Sequence, residues 1–125
     1  MPSEGKPRAI DTAVINTPAD VPPASLTDMA NRREWHRARL AGAVTAWGAP
    51  EACEAVAALS LGVAITRAVA AEQPVLIREA LRQGSTWDDI ASALGADPST
   101  AGAIYSTWLE TLDPAEREEA RRLAG

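Results

Sequence analysis

Few residues in this chain have chemistry beyond packing, and their spacing decides which chemistry is open to them. There is one histidine, His36, and one cysteine, Cys53. Neither has a companion at a ligand or nucleophile spacing, so the sequence offers no metal site and no catalytic constellation. A lone cysteine forms no intrachain disulfide, and within an Ala-rich run Cys53 reads as a small buried hydrophobe. Asp88 and Asp89 stand together, but they open a helix, where negative charge favours the N-terminal dipole; that explains them better than paired acid–base work. With no Gly-rich phosphate loop either, the sequence predicts a protein that is not an enzyme and needs no cofactor. Phosphate and base-edge chemistry remain. Arg32, Arg33, Arg37 and Arg39 crowd around His36. The apolar stripe Leu40, Val44, Trp47, followed backwards at helical spacing, runs into His36, Arg37 and Arg33. The cluster reads in two ways: solvated charges on a helix that projects beyond the core, or a basic patch aimed at phosphates or an acidic partner.

The second candidate is the stretch "STWDDIASALGADPSTAGAIYSTW", residues 85–108. Thr86 with Asp89 three residues on forms a capping box for a helix over 87–94. Gly95 supplies a turn, and Asp97-Pro98 caps and opens a further helix to about Leu112. Ile90 and Leu94 form the inward pair of the first helix, with small Ala91 at the crossing. Ala101, Ile104 and Trp108 continue inward on the second, and Leu76, Ile77, Ala80 and Leu81 give the pair something to pack on. This run resembles the helix-turn-helix family, and especially small actinobacterial DNA-binding proteins with a G-x-S-W-x-E-I-x-x-A-L-G pattern, written here "GSTWDDIASALG". The resemblance covers 74–112. It implies a DNA-reading unit with groove-facing positions at Pro98, Ser99, Thr100, Gly102, Ala103 and Ser106.

None of those positions carries a bidentate reader such as Arg, Asn or Gln. Ser99, Thr100 and Ser106 can bond a base edge or phosphate, and Ala103 can touch a thymine methyl. Thr86, Arg78 and Arg82 flank them as further contact candidates. Residues 74–112 nevertheless carry two arginines against five carboxylates, so phosphate affinity would have to come from Arg32, Arg33, Arg37 and Arg39.

The elements that must position these residues are helical. Residues 1–24 hold five of the nine prolines, which predicts a flexible Pro-rich tail. Within it, 8–17 has some β-propensity and is either disordered or paired with something. Ser25 or Thr27 caps a helix to Trp47, stopped by Gly48, and Pro50-Glu51 opens another. Residues 52–71 are apolar almost all round, and such a helix must be surrounded, by a homodimer partner or by a monomeric bundle. Pro74 starts or kinks a helix to Gln83, and Asp113-Pro114 opens a short, charged, exposed last helix. The sequence therefore predicts an all-α helical bundle. Its parts are a tail (1–24), a helical hairpin and candidate dimerisation region (25–72), a helix-turn-helix unit (73–112) and a C-terminal helix (113–125).

The net charge is −5, from 12 basic and 17 acidic residues, which gives no global pull towards nucleic acid or anionic membrane. The apolar window 55–66 is too short to span a bilayer, and no signal pattern opens the chain, so a cytoplasmic protein is expected. Two functions fit. One is a DNA-binding transcriptional regulator, a homodimer through 50–72 on double-stranded DNA. The other is a helical protein-interaction adaptor or assembly factor that uses the same scaffold without reading DNA, with a further partner possible through the N-terminal tail.

Overall fold

A computed structural model describes residues 8–42 and 53–125. Val44, Trp47, Gly48, Pro50 and Glu51, and the side chain of Cys53, lie outside the described residues. Those described form six α-helices and one 3₁₀ turn, with no strand among them, and the chain is all-α. It divides into two compact units, Met1–Ala68 and Val69–Gly125.

In the first unit, α1 (Ala9–Thr12) and a 3₁₀ turn (Pro18–Asp20) precede α2 (Leu26–Leu40) and the N-terminal part of α3 (Cys53–Arg82). Here the structure corrects the expectation of a flexible tail. The gap between Pro7 and Pro18 leaves room for one helical turn, and Ile10 and Ile15 are buried with Met29, Ala57 and Leu61 in a single core. Pro18 sits in the first turn of the 3₁₀ helix, and the Asp20 carboxylate accepts from the Asn16 and Thr17 amides at 2.9 and 3.0 Å. The segment does pair with something, but with α2 rather than a sheet. Arg32 on α2 donates to the Ile10 and Ala13 carbonyls, and Arg8 reaches Asp28 at 2.5 Å. Thus the β-branched residues of 8–17 serve burial, not strand pairing.

Ser25 caps α2 by accepting from the Asp28 amide. The helix then stops at Leu40, short of the expected Trp47, at Ala41 and at Gly42 with φ 77°. A second correction concerns Pro74, which starts no new helix but sits inside α3. A proline there removes one backbone hydrogen bond, an interior cost of about 3 kcal/mol. Burial of Pro74 and of Ile77 one turn on offsets it. Continuity through Arg67 and Pro74 also makes the apolar helix longer than its 55–66 window. Glu54–Arg82, whose most apolar 18-residue window has a mean hydropathy of 1.5, is long and apolar enough to cross a membrane by length and composition.

In the second unit the rest of α3 is followed by α4 (Trp87–Leu94), α5 (Pro98–Leu109) and α6 (Pro114–Ala124). The punctuation follows the sequence closely. Thr86 and Asp89 form the capping box, Gly95 takes φ 69°, and Asp97 and Asp113 cap α5 and α6 with proline in the first turn. Ile77, Ile90, Ala91, Ala101, Tyr105, Leu109 and Ala120 make the core. Two details differ from expectation. The inner face of α5 centres on Tyr105, 1% exposed, while Ile104 and Trp108 are partly buried at its edges. And α6, expected to be exposed, docks: Ala120 is buried, and its carbonyl accepts from the Tyr105 hydroxyl at 2.7 Å.

Candidate functional site

The eleven residues expected to meet DNA fall into three structural situations. The first is the exposed face of α5. A helix opened by Asp97-Pro98 and buried along Ala101, Tyr105 and Leu109 must turn Ser99, Thr100, Ala103 and Ser106 outward, and all four are exposed. Ser99 is already engaged, its hydroxyl donating to Asp97 at 2.7 Å, while the Thr100 amide donates to the same carboxylate at 2.8 Å. These bonds hold the Asp97 carboxyl below the usual carboxylate range. A negative charge is therefore fixed at the N-terminus of α5, where a phosphate would otherwise find the positive end of the dipole. Thr86, one helix earlier, is exposed and accepts from the Asp89 amide at 3.1 Å.

The second situation is that of Arg78 and Arg82. Arg82 bridges Glu79 at 2.5 Å and Glu119 at 2.8 Å, and its pKa is raised, chiefly by the Glu119 bond. Arg78 lies over the Trp108 ring at 5.0 Å. Its Nε is buried without a hydrogen-bond partner among the described residues, Glu79 lying at 3.8 Å. Stacking on the indole compensates part of that desolvation.

The third is the α2 cluster, whose members do not share one environment. Arg39 and His36 are buried and converge on Glu54 of α3, itself buried. Arg32 donates from Nε to His36 Nε2 at 2.8 Å. That nitrogen is therefore an acceptor, so the imidazole carries its proton on Nδ1 and donates it to Glu54 at 2.5 Å. Burial pushes the Glu54 carboxyl up, but the hydrogen bonds from Arg39 and His36 outweigh it and leave the pKa lowered. Trp35 closes one side, its ring 5.1 Å from the Arg39 guanidinium. Only Arg33 and Arg37 face outward, and both contact Glu34, at 3.3 and 2.8 Å. The α2 cluster thus splits: Arg32, His36 and Arg39 form a polar network with Glu54 that ties the N-terminal segment, α2 and α3 together, while Arg33 and Arg37 of the basic stripe stay at the surface. Glu54 is the residue that sequence reasoning missed. Its signal was present, as a lone carboxylate early in a long apolar helix.

Charge follows the same division. The second unit carries five arginines and no lysine against ten carboxylates, so the whole −5 of the chain resides there, and the first unit is balanced.

A different surface stands out on the α3 side of the first unit. Val56, Leu59 and Val63 point away from the core, and Leu59 is 71% exposed. Leu59 and Val63, with Leu40 of α2, Ala58 and Gly62, line a groove of about 880 Å³ that Arg33, Glu34, Arg37 and Arg67 also border. Apolar side chains at this spacing form the kind of stripe that another helix covers. Among the described residues no cluster of His, Cys, Asp and Glu could hold a metal ion.

No protein-family model matches the chain, and neither a curated protein nor a solved structure matches it.

Proposed function

We propose that the protein is a helical interaction protein that self-associates through the exposed apolar face of α3 and acts by docking other proteins rather than by reading DNA. The observation that carries this reading is the contrast between its two surfaces. Arg32 and Arg39 are spent on internal carbonyls and a buried carboxylate, and Arg33, Arg37 and Arg82 are paired with surface carboxylates, whereas Leu59 and Val63 lie uncovered beside a groove. Phosphate neutralisation supplies most non-specific affinity for DNA, and the unit holding α4 and α5 has a net charge of −5. Lipid is a poor cover for the same face. Arg67 is exposed beside it and lies near the middle of α3, where burial in a bilayer costs about 2.5–3.5 kcal/mol. A water-borne, cytoplasmic protein whose α3 is covered by a second copy fits better.

Sedimentation equilibrium of the full chain tests the self-association. A dimer mass at micromolar concentration is expected, falling to monomer in Leu59→Asp, a change at an exposed position that leaves the core untouched. A monomer at high micromolar concentration, or a dimer indifferent to Leu59→Asp, contradicts the assignment.

The second reading, a dimeric DNA-binding regulator, is favoured by one specific observation. The α4–Gly95–α5 arrangement turns Ser99, Thr100, Ala103 and Ser106 outward on one helix, as a groove-reading helix requires. The two readings part on one property, salt-dependent affinity for duplex DNA.

A further inference from the structure

The second unit has an uncovered apolar cleft of its own, separate from the α3 groove of the first. Ile77 of α3 and Ile90 and Leu94 of α4 line it, with Leu76 and Ala93 exposed beside them, and its volume is about 310 Å³. That suits one or two aliphatic side chains. Leu76 is 62% exposed, which is unusual for a leucine whose helical neighbour Ile77 is 3% exposed.

The electrostatics around the cleft have one sign. Asp89 lines it and Glu72 lies one turn before Leu76 on α3; both are exposed. Among the described residues no arginine or lysine lines the cleft. The two arginines of this part of α3 are directed elsewhere, Arg82 to Glu79 and Glu119, Arg78 to Trp108. An apolar slot with a carboxylate rim on a unit of net charge −5 complements a helix with aliphatic anchors on one face and cations beside them.

We infer that this cleft docks a basic amphipathic helix of a partner protein, seating its aliphatic anchor between Leu76 and Ala93 and its cations against Asp89 and Glu72. A second copy of this chain is the poorer occupant, because on its own basic helix, α2, Arg32 and Arg39 are engaged internally and the outward Arg33 and Arg37 both contact Glu34. The inference rests on the interaction reading but uses a surface outside the first unit, so loss of self-association in Leu59→Asp leaves it standing.

The test is a titration of the isotope-labelled full chain with two synthetic amphipathic helices of one pattern, leucine–lysine and leucine–glutamate, followed by amide chemical shifts. The leucine–lysine peptide is expected to bind saturably, with shifts centred on Leu76, Ser85, Ile90 and Ala93, and about tenfold more weakly to Leu76→Lys. Leu76→Lys and Ala93→Lys alter exposed positions, and unchanged dispersion in their spectra verifies the fold. Equal binding of the leucine–glutamate peptide, shifts centred on Leu59 and Val63, or indifference to Leu76→Lys would overturn the inference. So would cleft shifts on diluting the protein alone, which would place a second copy there.

Discussion

Glu54 anchors the polar network of the first unit, because two buried groups, His36 and Arg39, depend on it directly and Arg32 through His36. His36 and Arg39 donate to it directly, and Arg32 donates to His36 while clamping the Ile10 and Ala13 carbonyls. Removing one partner of a buried pair leaves an uncompensated charge, so Glu54→Gln should destabilise the unit by about 3–5 kcal/mol in urea unfolding. A loss below about 1 kcal/mol would mean that water already reaches the cluster. The sign of its pH dependence follows from its lowered pKa. The stabilisation is fully present above the unfolded carboxyl value and disappears as pH falls through the folded one. Asp20, Asp97 and Asp113, held low by hydrogen bonds at helix starts, act in the same direction. Stability should therefore be flat around neutrality and fall on the acid side of the ordinary carboxylate range. A maximum in stability at acid pH would contradict this. In the second unit the comparable residue is Tyr105, whose hydroxyl docks α6 at Ala120. Tyr105→Phe should cost about 1 kcal/mol in thermal unfolding, and no change would mean that water satisfies the Ala120 carbonyl.

At the scale of the element, two glycines should respond to alanine with opposite signs. Gly95 ends α4 at φ 69°, where a side chain is strained by about 1–2 kcal/mol. Gly62 lies inside α3 with helical dihedrals, and a Cβ there would meet Arg33 Nε at an ordinary 3.6 Å. Gly62→Ala should therefore stabilise dilute protein by about 0.5–1 kcal/mol while Gly95→Ala destabilises it, both read from melting temperature. Matching signs would mean that one of the two helices is misplaced. The same elements mark how much was legible beforehand. Caps and turns are local chemistry, so Ser25, Thr86, Gly95, Asp97 and Asp113 could be read from neighbours alone. Pro74 and the segment from Arg8 to Thr17 could not, because tertiary burial overrode a local rule in each. The inner face of α5 was read one residue off centre, since Ile104 and Tyr105 both lie at helical spacing from Ala101, three and four residues on, and only the α6 carbonyl selects the tyrosine. The arginine patch was misleading for a related reason. Periodicity reports which face a residue occupies, and says nothing of a carboxylate waiting across the groove on another helix.

For the whole molecule, the account separates a scaffold from its use. Helices α4 and α5 have the caps, turn and outward face that a DNA-reading pair needs, but the fold engages Arg32 and Arg39 internally, pairs Arg82 with surface carboxylates, and concentrates its net negative charge in that unit. Its unsatisfied surface is apolar and lies on α3. The most direct measurement is fluorescence anisotropy of the full chain titrated into labelled duplexes, one of mixed sequence and one from upstream of its own coding region, at about 50 mM and about 200 mM salt. The account predicts no saturable binding to either duplex at either salt concentration, with the protein dimeric throughout. Tight binding at low salt that falls steeply at the higher concentration, and falls further in Arg33→Ala with Arg37→Ala, would contradict it and establish a DNA-binding protein instead.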